Sequence, residues 1–133
     1  MSSVKIFNKQ LGTLLNELIE LYPKEKDLRI FNEKFKLITK INGMKVVEGF
    51  LMFAYPHKQQ IMDEDEKFFL SNAHGIVNNA SKKYKDMVPI TQAMNLKHLW
   101  EHRMDAETKA CMWKYFKVLV ILCERVVIEK SKK

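Results

Sequence analysis

Glycine and proline are scarce in this sequence, four and three among 133 residues, and cysteine occurs twice. So few turn formers exclude a turn-rich β-sandwich and favour helices. Two thiols, Cys111 and Cys123, cannot build a disulfide framework and point to a reducing compartment. Twelve positions apart on one expected helix, they stand about 18 Å apart along its axis, too far to share a bond or a metal. Both are expected to be packing residues. Gly43, Gly49 and Gly75 are too scattered to cradle a pyrophosphate, and no Ser or Cys occupies a nucleophile elbow. The apolar run Val118 to Cys123, bracketed by Lys117 and Glu124, is far short of the roughly 20 residues a bilayer span needs. Met1-Ser2-Ser3 leads directly into an amphipathic pattern, so no secretory signal is expected.

What is present is 47% hydrophobic and 29% charged, which excludes a disordered chain. A single domain over 1–133 is expected, large enough to fold without metal or disulfide. Val4, Phe7, Leu11, Leu14, Leu18 and Leu21 recur at steps of three and four, one stripe on a helix that should stop before Pro23. That stripe also fits a short heptad seam, so self-association is an expectation. Leu28, Phe31, Phe35, Ile38 and Ile41 predict a second helix, antiparallel to the first, with Asn42-Gly43 as a left-handed stop. Met44 to Tyr55 is apolar nearly all round. A buried helix is preferred there over a buried strand, because no partner strands are evident.

Asp63 with Glu66 three residues on reads as a capping box before Phe68, Phe69 and Leu70. The stretch around 71–94 carries Gly75, Asn78, Asn79, Ser81 and Pro89 and reads as a flexible connector. Asn95 is placed to cap a short helix through Arg103, and Asp105 to cap a long one from Ala106 to about Lys130. The apolar face of that long helix includes Met112, Tyr115, Phe116, Leu119, Val120, Cys123, Val126 and Val127. The fold class expected is all-α: a compact bundle of five to seven helices with a long C-terminal helix.

His98-Leu99-Trp100-Glu101-His102 fits the H-x-x-E-H signature of inverted zinc peptidases, in which two histidines four apart share one zinc and the glutamate acts as general base. Such a centre needs a third protein ligand and a longer chain to form a cleft. His98 and His102 are therefore weak metal candidates, expected on a solvent-facing helix face opposite Leu96 and Leu99. The four acids Asp63 to Glu66 lack the EF-hand glycine and glutamate spacing and are expected to form a solvated helix cap. No cofactor is expected, and no catalytic residue is assigned.

The net charge of +7 is spread, with two pooled clusters: Lys82, Lys83 and Lys85, and the tail of Lys130, Lys132 and Lys133. These are candidate contacts for nucleic acid or an acidic protein surface. Eight Met and fourteen aromatic residues (eight Phe, four Tyr, two Trp) suit core filling and also a helical interface.

Phe7-Asn8 through Leu21-Tyr22-Pro23-Lys24 to Asp27-Leu28 resembles an N-terminal pattern of uncharacterised small helical proteins of large nucleocytoplasmic DNA viruses. Leu96 to Trp100 and Thr108 to Leu119, with its Met-Trp-Lys-Tyr-Phe core, are similar to their C-terminal pattern. Together these stretches cover roughly a third of the chain. The resemblance implies a viral protein of host cytoplasm or virion and transfers no catalytic residue. Asn42 to Phe50 resembles the central-helix motif of the apoptosis-regulating all-helical family, without its tryptophan, its arginine or a hydrophobic C-terminal anchor. The functional expectation is a non-enzymatic helical interaction module, a viral structural, virion-associated or assembly component, binding a protein partner or a second copy. The alternatives are a nucleic-acid-associated protein using the basic clusters and an apoptosis-regulator-like binder of amphipathic helices.

Overall fold

A serine before an amphipathic run starts the first helix, as N-cap chemistry requires. The structure, a computed structural model, describes residues 2–72 and 97–131. In it the Ser2 hydroxyl accepts from the Val4 N–H at 3.2 Å and opens α1 (Ser3–Leu21). Phe7 and Leu14 are buried, and Val4, Leu11 and Leu18 pack around them, so the stripe faces the core. Fully burying a side chain such as Phe7 contributes about 1.5–3 kcal/mol. Tyr22 leaves helical geometry directly before Pro23. The chain then turns into α2 (Lys26–Ile41). A Cβ added to Gly12 would lie 3.4 Å from the Phe35 ring. Residues 12 and 35 are equidistant from the turn, so α1 and α2 form the antiparallel hairpin expected.

Asn42 and Gly43 act differently from expectation. Asn42 is extended, with φ −153°, and its side chain accepts from the Met44 N–H at 3.1 Å, while Gly43 is the first residue of α3 (Gly43–Phe53). The pair is thus an N-cap for the next helix, not a left-handed stop for the last. The Asn8 amide donates to the Gly43 carbonyl at 2.9 Å, fastening this corner to α1. Val46 and Val47 are buried, and Phe50 meets Phe7 edge-on with centroids 5.3 Å apart. The helix reading of this segment holds. A 3-10 turn (Tyr55–His57) leads into α4 (Lys58–Met62).

The capping box at Asp63 does not form. Asp63 follows α4 and accepts from the Gln59 amide, and Glu64 takes the left-handed conformation at φ 53°. The Asp65 N–H bonds back to the Gln60 carbonyl at 2.9 Å, a helix-ending motif in which glycine is the usual occupant of the left-handed position. Asp65 is the actual cap: it accepts from the Phe68 N–H at 3.1 Å and opens α5, residues 66–72. Helix α6 covers residues 97–102. The Asp105 carboxylate accepts from the Thr108 N–H at 2.7 Å and opens α7 (Ala106–Ser131), as its sequence position predicts. The expected connector around 71–94 and the Asn95 cap lie, apart from residues 71 and 72, outside the described residues.

The 26 residues of α7 make it about 39 Å long. Ser3 pairs with Glu129, and Glu17 with Tyr115. Equal steps on both helices in opposite directions make α1 and α7 antiparallel. Leu119, Leu122, Cys123 and Val126 of α7 join Phe7 and Leu14 in one core. The heptad-like stripe of α1 therefore packs, up to Leu18, against the core of its own chain. Among the described residues the fold is all-α, with seven helices and a long C-terminal one. No described helix is long and apolar enough to cross a membrane.

Three residues expected on core stripes are exposed: Leu21, Ile41 and Val127. Periodicity gives a side chain its direction, but a neighbouring element must stand there to cover it. The reassigned corner is testable: Asn42→Ala should cost about 1 kcal/mol in urea unfolding, the typical loss of an N-cap. A left-handed stop would instead leave the α3 start unaffected.

Candidate functional site

The described surface is best surveyed from the aromatic residues outward, because they are the heaviest chemical investment in the sequence. Trp113 of α7 is buried and meets Trp100 of α6 at 5.5 Å, Phe116 at 5.8 Å and Phe69 of α5 at 6.0 Å between centroids. Phe68 joins Phe69 at 5.3 Å and His57 at 5.2 Å. Lys109 lies 5.7 Å from the centroid of Trp100, within cation–π range. These rings hold the 3-10 turn, α5, α6 and α7 together, so core filling absorbs them. Edge-to-face pairs of this kind add about 0.5–1.5 kcal/mol each beyond buried area.

His98 and His102 stand on α6 as expected, both exposed, with ring centroids 4.5 Å apart. Glu101 forms an ion pair with Lys97 at 3.6 Å. Among the described residues no three His, Cys, Asp or Glu side chains converge to hold a metal ion. The acidic turn is a solvated helix cap as expected, with Asp63, Glu64 and Asp65 exposed and Asp65 capping α5. Glu64 pairs with Lys117 at 2.6 Å and Glu66 with Lys109 at 3.4 Å, which ties the turn to α7.

Three polar ties reach across the bundle. The Ser3 hydroxyl donates to Glu129, and these bonds hold the Glu129 carboxyl below the usual carboxylate range. Tyr55 and Lys58 both reach Glu124, whose hydrogen bond raises the Lys58 ammonium pKa. The Tyr115 hydroxyl donates to Glu17 at 2.8 Å. Burial, with that bond, pushes the Tyr115 phenol up to about 12. Cys123 is fully buried, and burial together with the Glu124 charge pushes its thiol up to about 12. Cys111 is exposed, so only one of the two cysteines is the packing residue expected. The α7 wheel turns position 111 outward from the face that carries 123.

Of the basic clusters, only Lys130 lies within the described residues, exposed in the last turn of α7. Lys82, Lys83, Lys85, Lys132 and Lys133 lie outside them. The structure instead brings forward two features that sequence reasoning missed. On α2, Ile30, Leu37 and Ile41 are exposed, and on α7, Val118, Ile121 and Ile128 are exposed. Each set forms a row at helical spacing on the side away from the core. The signal was in the sequence as a second, narrower periodicity beside the core stripe. The wider stripe masked it.

No protein-family model, curated protein or solved structure matches the chain.

Two measurements check this geometry. Because its folded pKa is raised, Tyr115 contributes stability that is present below about pH 10 and lost as pH rises towards about 12. Ultraviolet titration of tyrosinate should show one late-ionising phenol that Tyr115→Phe removes. Under native conditions a thiol reagent should label Cys111 quickly and Cys123 only on unfolding, read by mass spectrometry of peptides.

Proposed function

We propose that this chain is a non-enzymatic helical interaction module that uses the outward face of α7 to bind a protein surface, a second copy of itself included. The supporting observation is the exposed row of Val118, Ile121 and Ile128 on the longest helix. Aliphatic side chains held in a row by a rigid helix bury apolar area with little further loss of freedom, which favours helix-to-helix docking. Lys114 and Arg125 are exposed within the same arc, Arg125 between Ile121 and Ile128, so the face is apolar and basic together. Within this reading the chain serves as an assembly component, the role implied by its resemblance to viral proteins.

Light scattering at low and high salt, with nucleic acid content checked by absorbance, tests the reading. A mass above the 15.8 kDa of one chain that is insensitive to salt and reverts to monomer in Ile121→Asp supports it. Ile121 is exposed, so this substitution should change folding stability by no more than about 0.5 kcal/mol. A monomer that carries nucleic acid and sheds it in salt would overturn the reading in favour of the basic clusters.

A further inference from the structure

Exposure along α7 has a period. Cys111, Lys114, Val118, Ile121, Arg125 and Ile128 are all exposed and follow one another at alternating steps of three and four. That is the spacing of a coiled-coil seam, here on the side of α7 away from Leu119, Cys123 and Val126. On α2, Lys26, Ile30, Glu33, Leu37 and Lys40 are exposed at the same alternating steps. Ile41, 86% exposed, borders this second seam one turn beyond Leu37.

The two seams match each other better than either matches itself. Set antiparallel with Ile121 opposite Leu37, equal steps in opposite directions bring Ile128 to Ile30, Arg125 to Glu33 and Val118 to Lys40. Both isoleucines of α7 then meet aliphatic partners, Arg125 meets an acid, and the Lys40 stem lies across Val118 with its ammonium towards water. Sliding by a heptad sets Arg125 against Lys40 or Val118 against Glu33. The best parallel alignment, Val118 on Leu37, sets Ile121 against Lys40 and carries Ile128 past the end of α2. Paired with itself, α7 sets Arg125 against Lys114, an isoleucine or a second Arg125, or carries Ile128 past the start of its partner. An α2 pair sets its aliphatic residues against charge, or Glu33 against Glu33 and Lys40 against Lys40.

Resting on the docking role of α7 proposed above, we infer that its partner is the α2 seam of a second copy, laid antiparallel in this register. The two faces differ, so the contact is head-to-tail. Each copy offers α7 to one neighbour and α2 to another, and the series closes into a ring or grows as a filament. The seam from Val118 to Ile128 is about 15 Å long. A contact that short is weak singly, so association should rise with concentration.

Sedimentation velocity of the full chain over a range of concentrations tests it. The parent should grow past a dimer as concentration rises. Ile121→Asp and Leu37→Asp should each stay monomeric alone. Their equimolar mixture should form a dimer and stop there, because each variant keeps the face the other has lost. Arg125→Glu and Glu33→Arg should each weaken association at least about tenfold, and the two together in one chain should recover it. Circular dichroism should show every variant as helical as the parent, since these four positions are exposed. A parent or a mixture that stays monomeric would overturn the inference and leave α7 to a different protein, and a double charge variant no better than the singles would overturn the pairing. So would a Leu37→Asp chain that assembles like the parent; the docking role of α7 would then stand with another occupant. Assembly that Ile121→Asp leaves intact would overturn both.

Discussion

The antiparallel seam between α1 and α7 is the contact on which the other elements depend. It joins the first described helix to the last, and its register is fixed at two separated points by Ser3 with Glu129 and Tyr115 with Glu17. Between those points Phe7 and Leu14 enter the core that Leu119, Leu122, Cys123 and Val126 build from the other side. A hydrophobic stripe alone tolerates sliding by a turn; directional hydrogen bonds at two separated points do not. Once the seam is set, α2 and α3 pack on the remaining faces of α1, α5 and α6 gather around the first half of α7, and α4 reaches past its middle through Lys58 and Glu124.

That arrangement divides the molecule chemically. The α4–α7 end is held by interleaved rings around Trp113 and by ion pairs such as Lys117–Glu64 and Lys109–Glu66. Exposed pairs of this kind are individually weak, and their effect is to bring opposite charges together locally. Exposed aliphatic rows interrupt the charged surface on two separate helices, α2 and α7. Large apolar side chains left in rows and bordered by polar groups are the ordinary mark of contact surfaces.

Much of the architecture was legible in the sequence. The steps of three and four in Val4 to Leu21, the proline after Tyr22 and the aspartate before Ala106 gave α1, its end and the start of α7. The misreadings have specific causes. Asn42-Gly43 carries the composition of a helix stop, yet the same asparagine oxygen caps the following helix equally well. Asp63 to Glu66 offers several carboxylates for one cap, and which of them wins depends on the turn that Glu64 makes in a conformation usually left to glycine. Composition therefore pointed to the right place and the wrong atom.

The sequence by itself determined the long helical segments, though not α4, and which face of each is most apolar, because those properties repeat every turn and need no knowledge of neighbours. Only the tertiary structure decided which apolar residues are covered. Ile38 and Ile41 lie on adjacent turns of α2, and one packs against the core while the other stands open. Coverage, ion pairing and the outward turn of Cys111 or Ile121 are set by which helix lies alongside. That choice is made by contacts between residues far apart in the chain, about which local periodicity carries no information.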